Sequence, residues 1–168
     1  GTLDDAKQLG VIPRASAHLF RAIREGRDGT EFTIRASFLE IYQETIQDLL
    51  NPERNEQLRV RESPAKGVFV DGLTQEYVGS EQDIMALIRI GEANRSVSAT
   101  KMNQVSSRSH SLFIVTVEQR RPDGSVLVGK LNLADLAGSE KLSKSQAENA
   151  TLVETKYINK SLHALGNC

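Results

Sequence analysis

Over residues 32–38 apolar and polar side chains alternate: Phe32, Ile34, Ala36 and Phe38 interleave with Thr33, Arg35 and Ser37. A period of two puts the first set on one face of an extended chain and predicts a half-buried strand running on towards Tyr42. Upstream, Ala17, Phe20 and Ile23 recur at helical spacing, Pro13 suits a first helical turn, and Gly26 and Gly29 bracket the exit. Leu49-Leu50 precede the breaker pair Asn51-Pro52, after which residues 58–61 alternate again ahead of the apolar triplet Val68-Phe69-Val70. These read as short strands joined by loops.

Ser80 stands three residues before Asp83 and ahead of Ile84, Leu87 and Ile88. A hydroxyl there can accept a backbone N–H at a helix start, so a helix is expected from this point to about Ile90. Residues 111–118 and 126–133 both alternate, and Arg121-Pro122-Asp123-Gly124 between them has proline and glycine where a type I turn wants them. This is the clearest hairpin in the sequence. Beyond Asp135 the chain turns polar until Val153, where Val153, Tyr157, Ile158, Leu162 and Leu165 mark a last helix. No repeat or low-complexity tract interrupts the 168 residues, which fit one unit of mixed α and β type.

Composition narrows the partners. Twenty-one basic residues nearly balance 22 acidic ones, so the overall field gives no reason to expect nucleic acid or an anionic membrane, and an electrostatic partner must be met by a local patch. No apolar run approaches 18 residues, and no basic start precedes an apolar stretch. The single cysteine, Cys168, excludes an intramolecular disulfide and a cysteine-based metal site, which suits a reducing compartment, with cytoplasm as the default. Asn-x-Ser/Thr triplets at Asn94, Asn149 and Asn159 carry no weight without a secretion signal.

Two segments can carry chemistry. Residues 131–140 form an apolar strand ending in Asp135, with Gly138 three residues later. A strand-end carboxylate can hold a hydrated magnesium ion, and a glycine leaves a backbone N–H unobstructed beside a terminal phosphate, although a strand-end Asp starting a turn would look the same. Residues 103–110 gather Asn103, Gln104, Ser106, Ser107, Arg108, Ser109 and His110 before the next strand. Hydroxyls can ligate magnesium or orient water, and an arginine can form a forked pair with a carboxylate such as Glu140. Taken alone, that loop reads as a solvated one; beside the aspartate-glycine segment the balance shifts towards phosphate chemistry.

Other matches fail on context. A Ser-His nucleophile at His110 needs a geometry that sequence does not supply, and His18 and His163 have no clustered ligand partners. Residues 98–101 fit Ser-x-x-Lys without its companion motifs. Residues 124–131 satisfy G-x-x-x-x-G-K, but leucine stands where Ser or Thr belongs and the run lies within a hairpin arm rather than between a strand and a helix. Gly124 is therefore read as a turn residue and Lys130 as a strand residue.

The order and separation of the two segments resemble the kinesin motor family. Further matches are Ser37-Phe38-Leu39-Glu40-Ile41-Tyr42, Asp48-Leu49-Leu50, Gly67-Val68-Phe69-Val70, Gly72-Leu73, Asn94-Arg95 and residues 158–167. The resemblance implies an α/β fold, a partial motor domain with a mixed β-sheet flanked by helices, over residues 1–168. It further implies a first switch at about 103–110, a second at about 135–140 and the start of a tubulin-docking helix at about 151–166. Ser107 would give a hydroxyl to magnesium, Ser106 would help place the attacking water, and Asp135 would hold magnesium through water. Gly138 would sense the terminal phosphate, Asn103 would belong to the nucleotide site, and Arg108 with Glu140 would close the switches. Lys141, Lys144, Lys156, Asn159 and Lys160 would face tubulin, although four lysines are otherwise a solvated face. Gln146 and Asn149 depart from the family, standing where many kinesins have glycine.

Residues 9–14 resemble the stretch that follows the family's phosphate-binding loop, so that loop and the strands before it are expected outside this sequence. ATP and Mg2+ would then serve the complete motor, none being expected bound to this chain alone. Its partner would be the microtubule, with no nucleic acid and no membrane, in the cytoplasmic cytoskeleton. Unpaired sheet edges would invite pairing with a second copy. The alternative is a non-enzymatic kinesin-like module that binds tubulin.

Overall fold

The computed structural model describes residues 10–26, 29–54, 57–64, 66–102 and 109–137, with only the backbone described at 98–102. Helix α1 (Val11–Arg24) leads into strand β1 (Glu31–Tyr42), followed by β2 (Thr45–Asp48), β3 (Arg59–Ser63), β4 (Gly67–Asp71) and β5 (Glu76–Tyr77). Helix α2 (Glu81–Met102) and the long strands β6 (His110–Arg120) and β7 (Val126–Asp135) complete the described elements. The main sheet runs β2-β1-β6-β7, β5 also pairs with β1, and β3-β4 form a separate two-stranded sheet. Among the described residues every pairing is antiparallel.

The alternation on β1 does what its period requires. Ile34, Ala36 and Phe38 share a face with their cross-strand partners Val117, Val115 and Phe113. Both helices contribute to the core this face forms: Phe20 of α1, and Ile84 and Ile88 of α2, are buried in it with Leu49 and Val78. Phe38 and Phe113 meet edge to face with ring centroids 5.4 Å apart, a favoured aromatic geometry.

The β6–β7 hairpin closes as its sequence demands. Gly124 adopts φ +83° and donates its N–H to Arg121 O, while Arg121 N–H returns to Ser125 O. Lys130 is a β7 residue whose ammonium donates to Lys66 O, so the phosphate-loop pattern at 124–131 is a turn and a strand.

One element was missed and one expectation needs correction. The β1–β2 hairpin was not legible because its turn residues are Gln43 and Glu44, both at positive φ (47° and 62°), where glycine or asparagine is the usual signal. The second helix does not stop near Ile90 but runs to Met102. Gly91 is where α2 crosses β1, since a Cβ there would lie 2.1 Å from the Phe38 ring. The polar residues beyond it, Asn94 and Arg95, face the sheet and bond to it. The helix expected beyond Val153 lies outside the described residues.

Candidate functional site

The apolar face of β1 carries one acid. Glu40 follows Ile34, Ala36 and Phe38 in the same alternation, so its carboxylate is directed to the core side and is only 2% exposed. A buried carboxylate needs a cation. Arg95 of α2 supplies it, its Nε donating to Glu40 Oε1 at 2.9 Å. Ser109 Oγ donates to the same oxygen at 2.5 Å, and Glu40 Oε2 is buried with no hydrogen-bond partner among the described residues.

Arg95 extends beyond this pair. Its Nη2 donates to Ser109 O at 3.1 Å and to Ser109 Oγ at 3.0 Å, and its Nη1 lies 3.5 Å from Ser111 Oγ. Register explains the convergence: Glu40 pairs with Ser111 and Ser111 with Asp135, so three polar side chains form a row across β1, β6 and β7 at one end of the sheet. Arg95 sits over that row. Its Nη1 is 3.6 Å from Asp135 Oδ2, longer than a hydrogen bond, and the Asp135 side chain is 77% exposed where Glu40 is buried. The guanidinium therefore belongs chiefly to Glu40, leaving the Asp135 carboxylate accessible to another cationic partner.

A second contact spans the same end of the sheet. The neutral His110 ring accepts the Ala137 N–H at Nδ1, 3.0 Å away. Ala137 is buried, and leaving that donor unmet would cost about 1–3 kcal/mol. Burial first, and Arg95 second, hold the His110 pKa below its ordinary value, with Asp135 pulling the other way, so the neutral ring that can accept this bond is favoured. Next to Arg95 on α2, Asn94 Nδ2 donates to Leu49 O at 2.7 Å. Asp48 accepts Leu50 and Asn51 N–H at one oxygen and Thr74 N–H at the other, which fixes the chain beside Leu49.

Of the residues selected from sequence, Asp135 stands at the last position of β7. Asn103, Ser106, Ser107, Arg108, Gly138 and Glu140 lie outside the described residues, as do Lys141, Lys144, Lys156, Asn159 and Lys160. Sequence reasoning missed Glu40 and Arg95 as a pair. The available signal was an acid at an apolar position of β1's alternation, which calls for a buried cation without saying which one. No group of three or more His, Cys, Asp or Glu suited to a metal occurs among the described residues, and no helix among them is long and apolar enough to cross a membrane.

These features define an α/β domain in which one helix arginine ties together strand ends around an exposed, strand-terminal aspartate. The chain belongs to the kinesin motor domain family, whose family model matches residues 1–168. It is 58% identical over 166 residues to Kinesin-related protein 5 of Dictyostelium discoideum, covering 98% of this chain and 17% of that protein. Kinesin heavy chain isoform 5A of Rattus norvegicus is 45% identical over 168 residues, covering 99% of this chain and 16% of the relative. The chain thus spans about a sixth of the length of these curated relatives. The solved structure of a fast kinesin superposes with a TM-score of 0.88 at 48% identity, covering 98% of this chain and 47% of that one. The fold is the kinesin motor-domain fold.

Proposed function

We propose that this chain is the switch-bearing part of a motor that couples ATP hydrolysis to movement along microtubules. The observation that carries the reading is the Arg95 cluster, which bonds Ser109, at the end of the serine-rich segment, and reaches Asp135, at the start of the aspartate-glycine segment. A family relationship to kinesins makes nucleotide the reason for joining those two segments.

An exposed carboxylate at a strand end is the donor magnesium takes through its own waters, so Asp135 fits that role, with Ser107 offering a hydroxyl from the other segment. Magnesium, when bound, neutralises charge on the phosphates. Ser106 orients water and Asn103 contributes to the nucleotide site. Gly138 offers its unobstructed N–H to the terminal phosphate, and Arg108 with Glu140 forms a bridge that exists in one switch arrangement and opens in the other. Lys141, Lys144, Lys156, Asn159 and Lys160 supply the local patch for acidic tubulin that the near-neutral chain otherwise lacks. The protein acts on microtubules in the cytoplasm.

The 168 residues contain no G-x-x-x-x-G-K-[ST] run, so the isolated chain is expected neither to bind Mg-ATP nor to turn it over, and its sheet edges favour self-pairing. Binding of a fluorescent ATP analogue with magnesium tests this, and tight binding would reopen the reading of residues 124–131. In the full-length protein, Ser107→Ala and Glu140→Ala should each lower microtubule-stimulated ATPase by at least about a hundredfold. Unaltered turnover in both would overturn the assignment. A full-length wild type that binds microtubules without hydrolysing ATP would instead favour the non-enzymatic module.

A further inference from the structure

The β6–β7 ladder ends at the Ser111–Asp135 pair. Two residues later the Ala137 N–H is met by the imidazole of His110, at 3.0 Å. The side chain thus stands in for a backbone acceptor one step past the end of the ladder. His110 is itself well anchored: it pairs with Ile41 of the central strand β1, and its neighbour Ser109 is held through its hydroxyl by Glu40 and through its carbonyl by Arg95. A ring on so firmly held a backbone is a fixed post, and the chain leaving β7 is hooked to it before reaching Gly138.

We propose that His110 is a positioning residue for the β7 exit, holding the peptide between Asp135 and Gly138 in register with the end of the serine-rich segment, independently of an Arg108–Glu140 bridge. Its role in turnover rests on the proposed reading of those segments as nucleotide switches; the contact itself does not. If the bridge is a latch that opens, the imidazole sets where the second segment starts from in either state. The difference matters because a Gly138 amide that starts from a variable position would have to be ordered in every cycle.

The test uses three forms of the full-length protein. His110→Leu removes the acceptor and keeps an apolar body, whereas His110→Asn can return an acceptor oxygen near the place of Nδ1. Two readouts are taken: hydrogen–deuterium exchange of the peptide containing Ala137, without nucleotide, and kcat and KM for ATP with microtubules. His110→Leu should speed exchange there by about tenfold or more and lower kcat about tenfold with a smaller change in KM. His110→Asn should recover most of both. Equal losses in the two variants, or wild-type exchange and kcat in His110→Leu, would overturn the proposal. Faster exchange with unchanged kcat would also overturn it, as the contact would then hold the fold without positioning the switch. The wild type's own ATPase separately reports whether the motor reading stands.

Discussion

Arg95 meets Glu40 at 2.9 Å and Arg61 meets Asp71 at 2.7 Å, so by distance alone the second pair is the tighter. Their surroundings differ. The Arg95 and Glu40 side chains are 14% and 2% exposed, at the meeting of α2 with three strand ends; those of Arg61 and Asp71 are 59% and 52% exposed on the β3–β4 hairpin. Water screens the hairpin pair and solvates each partner when they part. Neither relief is available to Glu40. What the comparison teaches is that the same two functional groups at nearly the same separation define a surface decoration in one place and an organising centre in the other.

The largest way to break the comparison is to remove one partner of the buried pair. Glu40→Ala leaves the Arg95 guanidinium with Ser109, Ser111 and the exposed Asp135, none of which replaces a buried carboxylate. The expected destabilisation is about 3–5 kcal/mol, read from urea unfolding. Glu40→Gln, which keeps an acceptor for Ser109 Oγ, should lose less. A Glu40→Ala loss within about 1 kcal/mol would put the two pairs on one footing.

A smaller effect comes from an acid that is fully exposed yet specifically bonded. Asp83 Oδ2 accepts the Gly79 N–H at 2.9 Å, and Ser80 Oγ accepts the Asp83 N–H at 3.2 Å, which together cap the start of α2. The Gly79 bond first, and Ser80 second, hold the Asp83 pKa below its ordinary value of 3.8. Because the folded value is the lower one, this contribution is present above 3.8 and is lost as pH falls through the folded pKa. Ser80→Ala should cost about 1 kcal/mol, and Asp83→Asn should flatten the acid limb of the stability profile below pH 3.8. An unchanged acid limb in Asp83→Asn would mean that exposure outweighs the bonding geometry.

How much of this was legible in the sequence follows from the range of the forces involved. Local signals were read correctly where the chain obeys its own periodicity, as in the alternation at 32–38 and the Pro122 to Gly124 turn. Ser80 and Asp83 were legible for the same reason, since a cap is made within a few residues. Gln43 and Glu44 were missed because tertiary pairing of β1 with β2 holds two ordinary residues at positive φ. The length of α2 was missed because the contact that explains a glycine within it, Gly91 against Phe38, joins residues more than fifty positions apart in the chain. At the candidate site, Asp135 could be placed at a strand end from the apolar run before it. The Glu40–Arg95 pair could not, since 55 residues separate its partners and only the fold brings them together.

The smallest expected effect is at the hairpin pair itself, where the comparison is sharpest. Arg61 lies opposite Phe69, and Asp71 is its diagonal neighbour on the next strand, so the ion pair forms across the sheet without burying either charge. Arg61→Ala should cost no more than about 1 kcal/mol, and a double-mutant cycle with Asp71→Ala should give a coupling of about 0.2–1 kcal/mol that shrinks as salt is raised. The same cycle at Arg95 and Glu40 should give a larger coupling that salt scarcely changes, because counterions do not reach a buried pair. If the two couplings and their salt dependences proved equal, burial would not be what separates them. The organising role of Arg95 would then rest on its other contacts, to Ser109, Ser111 and Asp135, and Ser109→Ala, which removes the hydroxyl but keeps the carbonyl acceptor, should reproduce only part of the loss seen in Glu40→Ala.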